Sequence, residues 1–201
     1  MASTTEDGGV INVTIAGDRP LIMHNGQMAD PMNSWVRALR AISKKKVKTD
    51  DDHAEMARIE FMGSLYYHET IGVYIPGINI EGCIRDGARK KRRGVQVLEG
   101  VSVPDDYNPL IYKGPRTREA LWDIETFRDK RGVKLKGDTT TIRCRPTFRD
   151  WALSFTLNFF TDVINAEDIR EALDDAGKRI GLGDYHYRFG KFHVTKWQVS
   201  A

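Results

Sequence analysis

Alternating apolar and polar positions predict β-strands at both ends of the chain. Val10 to Ala16 alternates and is rich in β-branched residues, which is typical of a strand with one buried face. Leu21 to Met23 extends this strand or follows it after a turn. Near the C-terminus, Trp151 to Phe160 alternates in the same way, and a last strand is predicted from Lys191 to Val199.

Two helices are predicted after the first strand. Asp30 precedes a proline and is placed to cap the first of them, which ends in the cations Lys44 to Lys48. Cations there suit the negative end of the helix dipole. Thr49 and Asp52 have the spacing of a capping box, which predicts a second helix that continues to about Met62.

Two further helices follow turn and capping signals. The Pro76-Gly77 pair forces a turn, and Asn79 is placed to cap a helix that continues to Arg93. In the last quarter of the chain, Asn165 caps a helix whose first turn is acidic. Gly177 stands where a left-handed residue commonly ends a helix.

The middle of the chain contains shorter segments of strand character. Val95 to Leu98 and Pro109 to Tyr112 are predicted as short strands. Val133 to Lys136 and Thr139 to Arg145 are predicted as a hairpin around Gly137-Asp138. Cations alternate with apolar residues here, as expected of strands with one exposed basic face.

The order of these elements predicts an α+β fold. The C-terminal strand, helix and strand form one βαβ half, and the first strand with the helix after Pro76 begins another. We therefore predict a ferredoxin-like (RRM-like) βαββαβ sandwich with a helical insertion and a β-rich basic insertion. We expect a disordered tail at residues 1–9 and a single domain over 10–201, with insertions at about 24–70 and 95–145.

The composition is that of an ordinary globular protein. Of 201 residues, 40% are hydrophobic and 29% are charged, and the net charge is only +3. Cys83 and Cys144 are far apart and have no metal-ligand spacing, so we expect no metal and no cofactor. The N-terminus lacks an apolar core and no apolar run approaches membrane-spanning length, which predicts a cytoplasmic protein.

Charge distribution is more informative than net charge. Arg85, Arg89 and Arg92 share one stripe of the helix after Pro76, beside an apolar stripe suited to a core. Such a helix is anchored on one side and presents cations to a phosphate backbone on the other. The cations that extend this predicted interface are Lys90, Arg93, Lys44, Lys45, Lys46, Arg143 and Arg145, with Asn79 at the helix start.

Two segments resemble one protein family. Ile75 to Arg85 resembles the Ile-Pro-Gly-Ser-Ser signature of the RAMP superfamily of CRISPR-associated proteins, closest to the backbone subunits that line guide RNA. Gly181 to Phe192 is similar to that superfamily's C-terminal glycine-rich loop and strand. The chain departs from the signature at Ile78-Asn79, where two serines are usual, and at Glu81, where a lysine is usual.

The resemblance implies a function as well as a fold. Guide or other single-stranded RNA would bind along a basic face, with copies assembling head-to-tail on the strand or within a CRISPR-like effector complex. The glycine-rich loop would contribute backbone contacts and stacking aromatic rings. Its predicted contacts are Gly181, Gly183, Tyr185, Tyr187 and Arg188. At 201 residues the chain is compact for such a subunit, which is compatible with a stand-alone or phage-encoded relative.

The residues argue more for binding than for catalysis. His24 and His186 are candidate general bases, and in some backbone subunits of the family a loop aspartate near the position of Asp30 cuts target RNA. None of the three belongs to a recognisable catalytic set. Three alternatives stay open: a metal-independent endoribonuclease, a phage single-strand DNA-binding or annealing protein, and a viral mimic that blocks an effector complex.

Overall fold

The computed structural model describes residues 8–134 and 140–200. Its strands are β1 Gly8–Gly17, β2 Leu21–Ile22, β3 Tyr67–His68, β4 Gly72–Ile75, β5 Val101–Ser102, β6 Asn108–Tyr112, β7 Arg128–Lys134, β8 Thr140–Phe148, β9 Trp151–Phe160 and β10 Phe192–Ser200. Its α-helices are α1 Ser34–Ser43, α2 Asp50–Ser64, α3 Gly77–Ala88, α4 Gly94–Gly100, α5 Arg118–Asp123 and α6 Ala166–Asp175. Short 3-10 helices occupy Gly26–Ala29, Arg89–Lys91 and Glu125–Phe127, and a π-helical turn occupies Ala176–Ile180.

The chain divides into two compact units. Unit 1 consists of Met1–Leu21, Tyr74–Lys113 and Asp150–Ala201, and unit 2 consists of Ile22–Val73 and Gly114–Arg149. Helices and antiparallel strands occur together, which confirms the predicted α+β class. In the described part of the chain, no helix combines the length and apolar character needed to cross a lipid bilayer.

Unit 1 is built on an antiparallel sheet in which β1 and β9 are neighbouring interior strands. The strand order is β10-β1-β9-β6-β4, and β5 also pairs with β9. Ile11, Val13 and Ile15 are buried on one face of β1, whereas the alternate residues lie on an open face. β9 shows the same alternation, from Trp151 to Phe159, as its sequence predicts.

The helices of unit 1 supply the rest of its core. Ile80 and Ile84 of α3 and Ile169 and Leu173 of α6 are buried. The two helices approach so closely at Gly87 that a Cβ atom there would lie 2.2 Å from the carbonyl oxygen of Ala172. Only glycine fits this crossing without moving the helix backbones.

Unit 2 contains α1, α2, α5 and a small sheet in which β8 lies between β2 and β7. The predicted capping box of α2 is confirmed, because Thr49 accepts from the Asp52 amide and Asp52 accepts from the Thr49 amide. Phe61 of α2 is fully buried and meets the Trp122 ring edge-on, at a centroid distance of 5.4 Å. The predicted strand pairing of the basic hairpin is confirmed between β7 and β8, and its Gly137-Asp138 turn lies outside the described residues.

Two predicted capping residues are wrong. The cap of α1 is Asn33, which accepts from the Trp35 amide at 2.9 Å. Asp30 instead follows a 3-10 helix and accepts from the Met32 amide at 2.8 Å. α3 begins at Gly77, so Asn79 lies within its first turn and does not cap it. A proline-containing turn can set a helix start without any side-chain cap.

One predicted element type and two predicted boundaries are also wrong. Residues Val95–Leu98 lie in α4 rather than in a strand, since a short apolar run fits either structure. Gly177 lies inside the π-helical turn, and the left-handed residue that ends this segment is Gly181, with φ of 91°. β1 begins at Gly8, two residues before the predicted strand.

Candidate nucleic-acid interface

A basic groove lies along the end of α3 and the start of α4 in unit 1. We call it the arginine groove; it encloses about 320 Å³ and is lined by Arg85, Arg89, Arg92, Gly94, Val95 and Leu98. Arg85 is on α3, Arg89 begins the 3-10 turn that follows, and Arg92 ends that turn in the left-handed region with φ of 61°. The change of direction at Arg92 places α4 beside the guanidinium groups. The groove therefore results from the break in the predicted long helix.

The arginine groove has an excess of positive charge. Asp86 contacts two of its guanidinium groups, with Arg85 Nη2 at 3.2 Å and Arg89 Nη1 at 3.1 Å. Within residues 8–134 and 140–200, no ion pair reaches Arg92 or the neighbouring Lys90. These cations are available to an anionic ligand, because surface pairs such as those of Asp86 contribute little and are readily exchanged.

Apolar side chains form part of the same groove. Val95 is 64% exposed and Leu98 is 67% exposed, whereas Val97 between them is buried. Neither residue is among the predicted contacts, because the sequence pattern predicts a strand for this segment. A helical reading of the Val95–Leu98 run would have placed them next to the arginines, one turn apart.

Other cations of the basic run, in the segment between α3 and α4, form ion pairs with α6. Lys91 pairs with Glu171, and Arg93 pairs with Asp168 and, at 3.6 Å, with Glu171. Arg93 thus has two carboxylate partners of its own. Its predicted contact with nucleic acid stays a prediction and has to compete with these carboxylates.

Glu81, the acidic departure from the family signature, has a structural partner. Its Oε1 atom accepts a hydrogen bond from the Val103 amide at 2.8 Å. The carboxylate therefore fixes the segment that leads out of β5, whereas a lysine at this position could not accept that bond. Asn79 is half-buried nearby in sequence, in the first turn of α3.

The loop at residues 181–190 has an unusual backbone. Gly181, Gly183 and Gly190 have positive φ, and so do the non-glycine residues Tyr185, at 50°, and Tyr187, at 71°. Left-handed tyrosines are rare, and residues in such conformations concentrate at functional sites. Leu182 donates to the Gly190 carbonyl at 2.9 Å, so the two ends of the loop are joined.

Exposed rings project from this loop. His186 and Tyr187 are stacked, with their centroids 4.5 Å apart and their planes 27° apart, and Tyr187 is 66% exposed. The Arg188 guanidinium lies 5.9 Å from the Phe189 ring centroid. Stacked rings beside a cation are a suitable surface for an unpaired base.

The loop contacts α3, but on a different side of the helix from the arginine groove. The Cys83 thiol donates to the Gly181 carbonyl at 3.5 Å, and burial raises the pKa of this thiol to about 12. Cys83 and Gly87 share one stripe of α3, whereas Arg85 and Arg89 lie about 200° away around the helix. The structure therefore places the two predicted motifs against one helix without joining them into one surface.

The predicted basic residues of unit 2 differ in how far they are engaged. Lys45 pairs with Asp52 at 2.6 Å, whereas Lys44 and Lys46 are exposed and have no ion pair within the described residues. Arg143 Nη1 donates to Glu60 at 2.8 Å, and Glu60 is almost fully buried. Arg145 is half-buried on β8.

The catalytic candidates have ordinary structural contacts. His24 Nδ1 lies 3.3 Å from the Ser64 hydroxyl, Asp30 holds a turn through the Met32 amide, and His186 is stacked on Tyr187. In the part of the chain that the structure describes, no three His, Cys, Asp or Glu side chains are grouped closely enough to hold a metal ion.

These observations define an α+β protein with an antiparallel sheet and a cationic groove on its helical layer. A solved chain with the same fold belongs to a structure of the type III-B Cmr-β bound to cognate target RNA. The TM-score is 0.53 at 12% sequence identity, and the match covers 96% of this chain and 60% of that chain. No protein-family model matches the sequence, and a search of curated proteins finds no significant relative.

Proposed function

We propose that this protein binds single-stranded RNA through its sugar-phosphate backbone and does not cleave it. The observation that carries the proposal is the arginine groove, where Arg85, Arg89 and Arg92 converge and Asp86 offsets part of their charge. Phosphate contacts of this kind give affinity that is largely independent of sequence. The exposed Val95 and Leu98 side chains would pack against ribose or base surfaces.

The topology of unit 1 supports this proposal. Taken along the chain, β1, α3, β6, β9, α6 and β10 have the order βαββαβ, and their strands have the spatial order β10-β1-β9-β6. We assign this arrangement to the ferredoxin-like (RRM-like) sandwich. The likeness to a chain from an RNA-bound Cmr structure supports a role as a CRISPR effector subunit of the backbone type. Assembly of several copies along one RNA strand belongs to the same proposal.

The glycine-rich loop supplies the second part of the proposed interface. Its stacked His186-Tyr187 pair would hold an unpaired base, and Arg188 would contact a neighbouring phosphate. In unit 2, Lys44 and Lys46 are exposed cations that would add weaker phosphate contacts. In this proposal His24, Asp30 and His186 have no catalytic role.

The test is the salt dependence of binding to a labelled RNA of about 30 nucleotides with no stable secondary structure. The variant replaces Arg85, Arg89 and Arg92 with glutamine. The matched control replaces three exposed lysines of unit 1 with glutamine and so removes the same formal charge. These lysines are Lys113, Lys178 and Lys196.

We expect the groove variant to bind at least ten-fold more weakly than the control. Its plot of log affinity against log salt should lose about two units of slope, since each lost phosphate contact on a single strand removes about 0.7. Equal affinity and slope in the groove variant and the control would reject the groove as the binding surface. A DNA of the same sequence, run in parallel, measures any preference for the ribose 2′-hydroxyl.

A further inference from the structure

Two cations outside the proposed RNA interface meet at the base of the glycine-rich loop. Arg19 is in the turn after β1, and Lys191 immediately precedes β10. The Asp18 and Arg19 amides both donate to the Lys191 carbonyl, at 2.7 and 3.2 Å. The Gly190 amide donates to the Pro20 carbonyl at 2.8 Å. Backbone hydrogen bonds in both directions therefore hold the two positively charged residues beside each other.

The turn that carries Arg19 is further fixed from the opposite side. The Trp151 indole N–H donates to the Arg19 carbonyl at 2.9 Å, and Trp151 is buried. The Arg19 guanidinium donates to the Arg188 carbonyl at 3.4 Å, so it lies over the loop. The Arg188 side chain itself is exposed, and its guanidinium lies over the Phe189 ring. Arg19 and Lys191 thus lie side by side at the base of the loop, and the Arg19 guanidinium reaches the loop backbone.

This arrangement has an electrostatic cost for the unliganded protein. Burial, and then the nearby charge of Arg19, lower the pKa of the Lys191 ammonium group. The carboxylate next in sequence, Asp18, lies 2.7 Å from His193 Nδ1 and pairs with that ring when it is protonated. Within the described residues, no ion pair joins a carboxylate to Arg19, Arg188 or Lys191. Like charges held together in this way favour an anion between them.

We propose that Arg19 and Lys191 form an anion site that holds one phosphate group at the base of the glycine-rich loop. The phosphate is either an internal phosphodiester of a bound strand or the terminal phosphomonoester of its 5′ end. The nucleic-acid source of the phosphate rests on the proposed function, whereas the affinity for phosphate itself does not. Arg19 and Lys191 would position the strand relative to the stacked His186-Tyr187 pair.

The experiment measures acylation of individual lysines by mass spectrometry, at pH 8 and limiting reagent. Lys196 is the internal control, because it is an exposed lysine on the same strand, β10. Inorganic phosphate is added at the same ionic strength as a chloride reference. We expect phosphate to slow labelling of Lys191 at least three-fold and to leave Lys196 unchanged. The Arg19→Gln variant should lose this protection.

Two RNA arms identify the source of the phosphate. Oligonucleotides with a 5′-phosphate and with a 5′-hydroxyl are compared at concentrations that saturate binding. Protection of Lys191 by both indicates an internal phosphodiester, and protection by the phosphorylated strand alone indicates a terminal phosphate. If neither inorganic phosphate nor either strand slows the labelling of Lys191, the anion site is rejected.

The outcomes separate the two proposals. If RNA strands bind the wild type but not the arginine-groove variant, and Lys191 is not protected, the proposed function is retained and the anion site is rejected. If inorganic phosphate protects Lys191, this protection depends on Arg19 and the protein binds no RNA, the anion site is retained and the proposed function is rejected.

Discussion

The buried ion pair of unit 2 predicts that Arg143 is needed for stability. Glu60 is 5% exposed, and its two oxygen atoms accept from Arg143 Nη1 and from the Cys144 amide, both at 2.8 Å. Replacing Arg143 with methionine keeps much of the apolar stem and removes the charge. The Glu60 carboxylate would then stay buried with a single hydrogen-bond partner. An uncompensated buried charge is the main reason why breaking such a pair lowers stability.

The expected loss follows from the exposure of the two side chains. Breaking a fully buried pair costs about 3–5 kcal/mol. The Arg143 side chain is 32% exposed, so water will reach part of the vacated space. We therefore expect Arg143→Met to lower the free energy of unfolding by about 2–3 kcal/mol. The assay is urea unfolding followed by tryptophan fluorescence, because Trp122 contacts Phe61, the neighbour of Glu60.

Two further variants make the test specific. Arg58→Met removes an arginine from α2, the helix that carries Glu60; its side chain is 43% exposed and lies 3.5 Å from Glu55, so the change should cost under about 0.5 kcal/mol. In a Glu60→Gln background the effect of Arg143→Met should fall below about 1 kcal/mol, since no buried charge is stranded. An equal loss in both backgrounds would refute the electrostatic reasoning. RNA affinity of Arg143→Met, measured well below its unfolding transition, tests the separate prediction that Arg143 contacts phosphate.

Three other predictions concern unit 1. Glu81→Lys, which restores the family's usual residue, should lower the free energy of unfolding by about 1–2 kcal/mol because the Val103 amide loses its acceptor; an unchanged urea midpoint would contradict this. Gly190→Ala should cost at least about 2 kcal/mol, since φ is 64° and a Cβ would lie 1.8 Å from a carbonyl oxygen; Gly26→Ala, in open space, is the control in the same thermal melts. Burial raises the pKa of the Cys83 thiol from its ordinary 9.0 to about 12, so its contribution to stability is complete below pH 9 and decreases as the pH rises from about 9 towards 12. Cys83→Ala should flatten that part of the stability profile, and an unaltered slope would contradict this.

Some local hydrogen-bonding signals predict the structure correctly, although the caps predicted at Asp30 and Asn79 do not form. The capping box of Thr49 and Asp52 and the capping of α6 by Asn165 involve residues three apart, so the pattern contains both partners. The alternation from Trp151 to Phe159 likewise reports directly on which side chains of β9 are buried. In these segments, local preference and tertiary structure agree.

The other errors occur where distant residues decide the conformation. Gly177 has the spacing of a helix C-terminus, but its small size is needed because a Cβ there would lie 2.2 Å from the Phe192 carbonyl oxygen. By itself, the Val95–Leu98 run is compatible with a strand or with a helix. It is helical in the structure, where Val97 is buried in unit 1. A single sequence does not contain these contacts in any local pattern.

The candidate interface shows the same limit. Spacing alone places Arg85 and Arg89 on one stripe of the predicted helix, and in the structure both line the arginine groove. Which cations are engaged by carboxylates depends on partners far along the chain: Arg93 pairs with Asp168, 75 residues away, and Arg143 pairs with Glu60, 83 residues away. Periodicity therefore predicts where charge is placed, and tertiary structure decides how much of it a ligand can use.

The left-handed tyrosines have a consequence for engineering this protein. Glycine would occupy the backbone conformation of Tyr187, whose φ is 71°, at a cost lower by about 1 kcal/mol, and the ring is mostly exposed, so little burial would be lost. A library selected only for thermal resistance should therefore enrich glycine at this position. Such a selection would remove a ring of the proposed stacking surface while every measure of folding improved, so stabilised variants of this loop have to be screened for RNA affinity in the same round.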